Sequence, residues 1–116
     1  MEQTKEMDGY IMSIRIGPLD VAETKTVQFK FEGELSSSEI MIGATVDVTL
    51  LRGTDLTPQN IRVGSPVIDN VKKIVEQRVT APGLAGNMYL LRCVATGDGA
   101  GNVHTVVAEL PVVSLR

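Results

Sequence analysis

The chain has 116 residues with 43% hydrophobic and 22% charged side chains, an ordinary globular balance that excludes wholesale disorder and sets an expectation of one compact domain. A net charge of −3, no basic run and only 3% aromatic residues (two Phe, two Tyr, no Trp) argue against a nucleic-acid partner, which needs cationic contacts and stacking faces. The single Cys93 excludes an internal disulfide framework, and without a signal-like apolar core or a stretch of ~18 apolar residues the expectation is a soluble cytoplasmic product with no membrane partner.

Residues 1–9 are polar, end at Asp8-Gly9 and read as a flexible N-terminal arm, with the domain proper over 10–116. Tyr10, Met12, Ile14 and Ile16 alternate with Ser13 and Arg15, as in a half-buried strand that Gly17-Pro18 breaks. Val27, Phe29 and Phe31 then face one way and Gln28, Lys30 and Glu32 the other, the cleanest period of two in the chain, which places both Phe residues in the core.

Gly33 to Ser38 reads as a polar loop. Ser36 and Glu39 have capping-box spacing, but the β-branched residues that follow disfavour a helix. Ile40 and Ile42 form a short strand ending at Gly43, and Val46 to Leu51 alternates again until Gly53. Gly53 to Asn60, rich in Thr, Asp and Pro, reads as a loop, and Ile61 with Val63 as a brief edge strand before Gly64-Ser65-Pro66.

Residues 71–79 support two readings. Val71, Ile74, Val75 and Val79 lie at helical spacing, whereas the Val and Ile content favours a strand. A turn cluster over 81–87 closes the segment either way. The last section is a hairpin: Met88 to Thr96, a turn over Gly97-Asp98-Gly99-Ala100-Gly101-Asn102, and a return from Val103 to Val113 with His104, Val106, Ala108 and Leu110 inward and Glu109 outward. Pro111 cannot donate to a ladder, so that strand is expected to be an edge or bulged there. About seven strands separated by turns predict an all-β fold, an antiparallel β-sandwich.

The stretch Tyr89-Leu90-Leu91-Arg92-Cys93-Val94-Ala95-Thr96 followed by Gly97-Asp98-Gly99 resembles the penultimate strand of an immunoglobulin-like domain. The order around it, with Gly86-Asn87-Met88-Tyr89 and Cys93, is similar to that in small bacteriophage Ig-like virion proteins of the fibre-tail adaptor type. The resemblance covers residues 65–115. It departs at Glu76-Gln77-Arg78, where those proteins carry more apolar residues, and in the lack of Trp. It implies a strand over 71–79, a structural role in a virion, and other virion proteins and further copies of the chain as partners.

Candidate chemistry is thin. Cys93 and His104 fall on paired strands and could approach each other, but apolar neighbours (Leu91, Ala95, Val106, Ala108) would keep a thiol inert. One Cys and one His cannot make a standard zinc set, and Asp98 with Asn102 offers too few oxygens for calcium. Gly97 to Gly101 lacks the Lys and the following helix of a phosphate loop. Glu32, Glu34 and the pair Lys72-Lys73 read as solvated charges. Tyr89 is expected to pack its ring inward and to hydrogen-bond its hydroxyl to a loop carbonyl, as in a tyrosine corner.

The expectation is therefore a non-enzymatic virion structural protein with no catalytic, cofactor or metal residues, assembled in the host cytoplasm and acting through contacts made by the arm and the Gly53 to Asn60 loop. A capsid decoration or head-tail joining protein is the alternative within viruses. A bacterial Ig-like binding module is the alternative outside them.

Overall fold

A computed structural model describes residues 3–5, 12–15, 18–20, 23–35, 38–81, 84–99 and 102–114. In chain order they form β1 (Gln3–Lys5), β2 (Met12–Arg15), β3 (Leu19–Asp20), β4 (Thr24–Lys30), β5 (Met41–Arg52), a short 3-10 helix (Pro58–Ile61), β6 (Arg62–Asp69), β7 (Ile74–Thr80), β8 (Met88–Gly97) and β9 (Val103–Val113). One sheet has the order β1-β2-β9-β8-β5 with β3 also on β9; the other is β4-β7-β6.

β2 and β3 both run parallel to β9, at residues 106–109 and 112–113, and are two pieces of one edge strand. Counted so, a four-stranded sheet faces a three-stranded one, with β1 added at the rim of the first. This is an immunoglobulin-like sandwich in which the first strand lies beside the last instead of beside the second. The pairing is otherwise antiparallel, so the all-antiparallel expectation needs this one correction. Gln3–Lys5, within the segment read as an arm, pair with Ile14, Ser13 and Met12; the rest of residues 1–9, like Tyr10 and Ile16, lies outside the described residues.

The strictest sequence alternation is matched by an alternation in burial. Val27, Phe29 and Phe31 are buried against Val46, Leu91, Leu110 and Ile61 of the opposite sheet and its crossover, while Thr26, Gln28 and Lys30 are exposed. Fully burying one such side chain contributes about 1.5–3 kcal/mol, and the two Phe residues, with Tyr89, are the largest side chains in a core otherwise made mostly of Val, Leu, Ile and Ala.

Several boundaries differ from the expectation. Gly43 does not end a strand: β5 runs on through it, with a bulge between Met41 and Gly43. Met41 is buried and Ile42 is 63% exposed. The Gly53 to Asn60 loop closes in the 3-10 helix, whose buried Ile61 is a helix residue and not a strand residue. β6 continues through Gly64-Ser65-Pro66, its register broken between Val63 and Val67.

Residues 74–80 are strand, with Val75, Gln77 and Val79 inward. The helical stripe fails because Val71 is 94% exposed, in a turn where Asp69 Oδ1 accepts the N–H groups of Val71 and Lys72 and Lys73 takes a left-handed φ of 57°. Pro111 is not on a free edge. Val112 exchanges backbone bonds with Gly86 and Asn87 on the β8 side, so by alternation the amide position of Pro111 faces away from β8, and its missing N–H takes no bond from the β8–β9 ladder.

Candidate functional site

The chemistry-bearing side chains gather at the two ends of β8. At its start Tyr89 is fully buried and its hydroxyl donates to Asp55 Oδ2 at 2.6 Å while accepting from Asn87 Nδ2 at 3.0 Å. The inward ring was expected; the partner is a loop carboxylate, not a loop carbonyl. Asn87 also brackets Thr54, donating to its carbonyl and accepting its N–H. That close approach needs a glycine next door: Gly53 has φ 106°, and a Cβ there would lie 1.9 Å from Asn87 Oδ1.

Burial, then the hydrogen bond to Asp55, pushes the Tyr89 phenol up to about 12. The same hydroxyl, then the Thr57 N–H on Oδ1, holds the Asp55 carboxyl below the usual carboxylate range. Both shifts favour one state, neutral phenol on ionised carboxylate, which is a structural clamp on the Gly53 to Asn60 loop. The loop expected to make contacts is thus tied down, with Leu56 left 96% exposed at its tip.

At the other end of β8, Glu39 is only 6% exposed. Its Oε2 accepts from Asn102 Nδ2 at 3.0 Å and lies 3.1 Å from His104 Nε2, and its carbonyl accepts from Lys73 Nζ. Gly97 makes room, since a Cβ there would come within 1.9 Å of that carboxylate oxygen. Asp98 pairs with Ile40 through both its N–H and Oδ1. Asp98 and Asn102, weighed as calcium ligands, are thus engaged in fastening the hairpin turn to residues 39–40. Among the described residues no three His, Cys, Asp or Glu side chains are grouped to hold a metal.

Cys93 and His104 are not brought together as a dyad. Cys93 pairs with Val106, and His104 with Ala95. The thiol is buried and pushed up to about 12 by that burial, and the imidazole belongs to Glu39. Lys73, read as half of a solvated pair, points its ammonium inward onto the Glu39 carbonyl.

A third set of residues escaped the sequence reading. Gln59 donates to the Val48 carbonyl and accepts its N–H, Asn70 does the same at Met41, and Arg62 Nη1 donates to the Val46 carbonyl at 2.7 Å. Side chains thereby occupy backbone positions along the outer edge of β5 that a neighbouring strand would use. Gln77, fully buried in β7, donates to carbonyls of Gly64 and Arg78 and holds the broken stretch of β6 from within. In sequence all of these are ordinary polar residues of loops and strands, and of them only Gln77 stood out, as part of the polar departure at Glu76-Gln77-Arg78.

No helix among the described residues is long and apolar enough to cross a membrane. Compared with protein-family models the chain has no match, and compared with curated proteins it likewise has none.

Proposed function

We propose that the chain is a non-enzymatic structural protein of a bacteriophage particle, of the tail or fibre adaptor kind, working through protein–protein contacts in a multi-copy assembly. The observation that carries this reading is where the polar chemistry goes. Asp55, Tyr89 and Asn87 bind one loop to the sandwich, and Glu39, Asn102 and Asp98 bind a turn to another strand. The groups that could serve catalysis serve rigidity. The resemblance of residues 65–115 to phage Ig-like proteins supplies the setting, and a stiff sandwich with exposed Ile42, Leu56, Val67 and Val103 supplies surfaces suited to docking.

The test is mass spectrometry of purified particles from a host carrying the gene, together with the identity of the flanking genes. Several copies per particle and flanking portal, capsid or tail genes support the reading. Particles without the chain, and flanking secretion or adhesin genes, overturn it in favour of an Ig-like binding module.

A further inference from the structure

The sandwich treats its edges unequally. The outer edge of β5 is occupied by Gln59, Arg62 and Asn70. The outer edge of β6 is interrupted by the register break and by Pro66, which has no N–H to offer. β4 has neither device. It pairs with β7 without interruption from Thr24 to Lys30, and no strand among the described residues lies on its other side.

Phe31 N–H bonds to Lys73 on the β7 side. By alternation Val27 and Phe29 bond that way too, and the amides and carbonyls of Thr24, Thr26, Gln28 and Lys30 point outward. The side chains of these four residues are exposed.

We infer that the outer edge of β4 is a self-pairing edge, on which a second copy of this chain adds its own β4 antiparallel about a two-fold axis at Val27. The outward groups then fall opposite one another: Thr24 against Lys30 of the second copy, and Thr26 against its Gln28. This register sets no like charges face to face, and Lys25, on the inner face, meets the Phe29 of the second copy. Parallel in-register addition would instead set Lys30 beside Lys30. Head-to-tail addition of β4 to a neighbour's β6 meets the Gly64–Pro66 break, so the geometry selects a closed pair over a filament.

This deepens the multi-copy reading above and relies on that reading only for its biological setting. The test is sedimentation equilibrium of the whole chain over micromolar to millimolar concentration, with circular dichroism as a check on folding. The expected mass rises toward twice the 12.5 kDa of one chain. In T26K/Q28K and in T26E/Q28E the two-fold register sets like charges opposite, and each pair weakens by about tenfold or more. T26E/Q28K sets Glu opposite Lys and holds the pair, and it also places Glu beside Arg78 and Lys beside Glu76 within the same chain. Mixing the two repelling variants restores association as a mixed pair.

A single-chain mass at every concentration overturns the inference. So does a pair that is equally strong in all three variants, or folded repelling variants that fail to associate when mixed. Any of these results obtained while the chain is still found in particles removes this interface and leaves the particle reading in place.

Discussion

β8 begins and ends in a polar cluster, and the two are built on opposite plans. At its start a hydroxyl is carried out of the core to a carboxylate, Asp55, that keeps part of its water. At its end a carboxylate, Glu39, is taken out of water, and donors from Asn102 and His104 are brought to it. A hydrated carboxylate that loses one donor recovers a water in exchange. A buried one has no such exchange, and donors left behind around an empty site must find partners of their own. The two ends of one strand should therefore fail by different amounts.

The largest loss is expected at the buried end. Glu39→Ala should cost about 1.5–3 kcal/mol in urea unfolding, the range for hydrogen bonds to a charged group. Gly97→Ala should be costly alone, because its Cβ meets the Glu39 carboxylate, and nearly neutral in the Glu39→Ala background. Additive costs would show that the glycine is not there for the carboxylate. A Glu39→Ala protein as stable as the parent would end the comparison.

At the other end Tyr89→Phe should cost about 1–2 kcal/mol, with a signature in pH. Because the phenol is raised from 10.0 to about 12 in the folded chain, the neutral form is favoured. Its contribution is whole below pH 10 and disappears as pH rises through about 12. Asp55 runs the other way: its ionised form is favoured, so its share is present at neutral pH and lost as pH falls below the ordinary carboxylate range. Stability curves of parent and Tyr89→Phe should converge between pH 10 and 12. Cys93, raised to a similar value, is common to both and cancels. Parallel curves across that window would show that Asp55 does not hold the phenol.

The smallest effect is expected midway along the same strand. Cys93→Ala should cost about 1 kcal/mol, and a thiol-reactive dye should label Cys93 slowly in native protein and quickly in denaturant. Fast native labelling would reverse the inward register of β8.

What was legible in the sequence is what short-range periodicity encodes. Val27, Phe29 and Phe31 needed only a period of two, and Tyr89 with Cys93 fixed the inward face of β8. The turn at 70–73 was hidden by a coincidence: Val71 completes a helical stripe with Ile74 and Val75, whereas the local hydrogen bonds of Asp69 drive a turn. Glu39 was illegible for a different reason. Its partners Asn102 and His104 stand 63 and 65 residues away, and nothing in a carboxylate's neighbours along the chain says that it will be buried. Gln59 was legible only as part of a loop and Asn70 not at all, because the backbone groups they hold, on Val48 and Met41, lie 11 and 29 residues back along the chain.

The side-chain guard on β5 also bears on the order in which the chain condenses. Gln59 reaches Val48 across 11 residues and Arg62 reaches Val46 across 16, whereas the hydrogen-bonded neighbour on the other side, β8, must bring Cys93 back to Val46. Each doubling of a closed loop costs only about 0.6 kcal/mol more, but the nearer closure needs no residue beyond Arg62. A chain emerging from the ribosome can therefore cover one side of its longest strand well before the partner for the other side has been synthesised. The interval in which β5 offers two bare edges to its neighbours is shortened by residues that look, in the finished fold, like mere decoration of a loop.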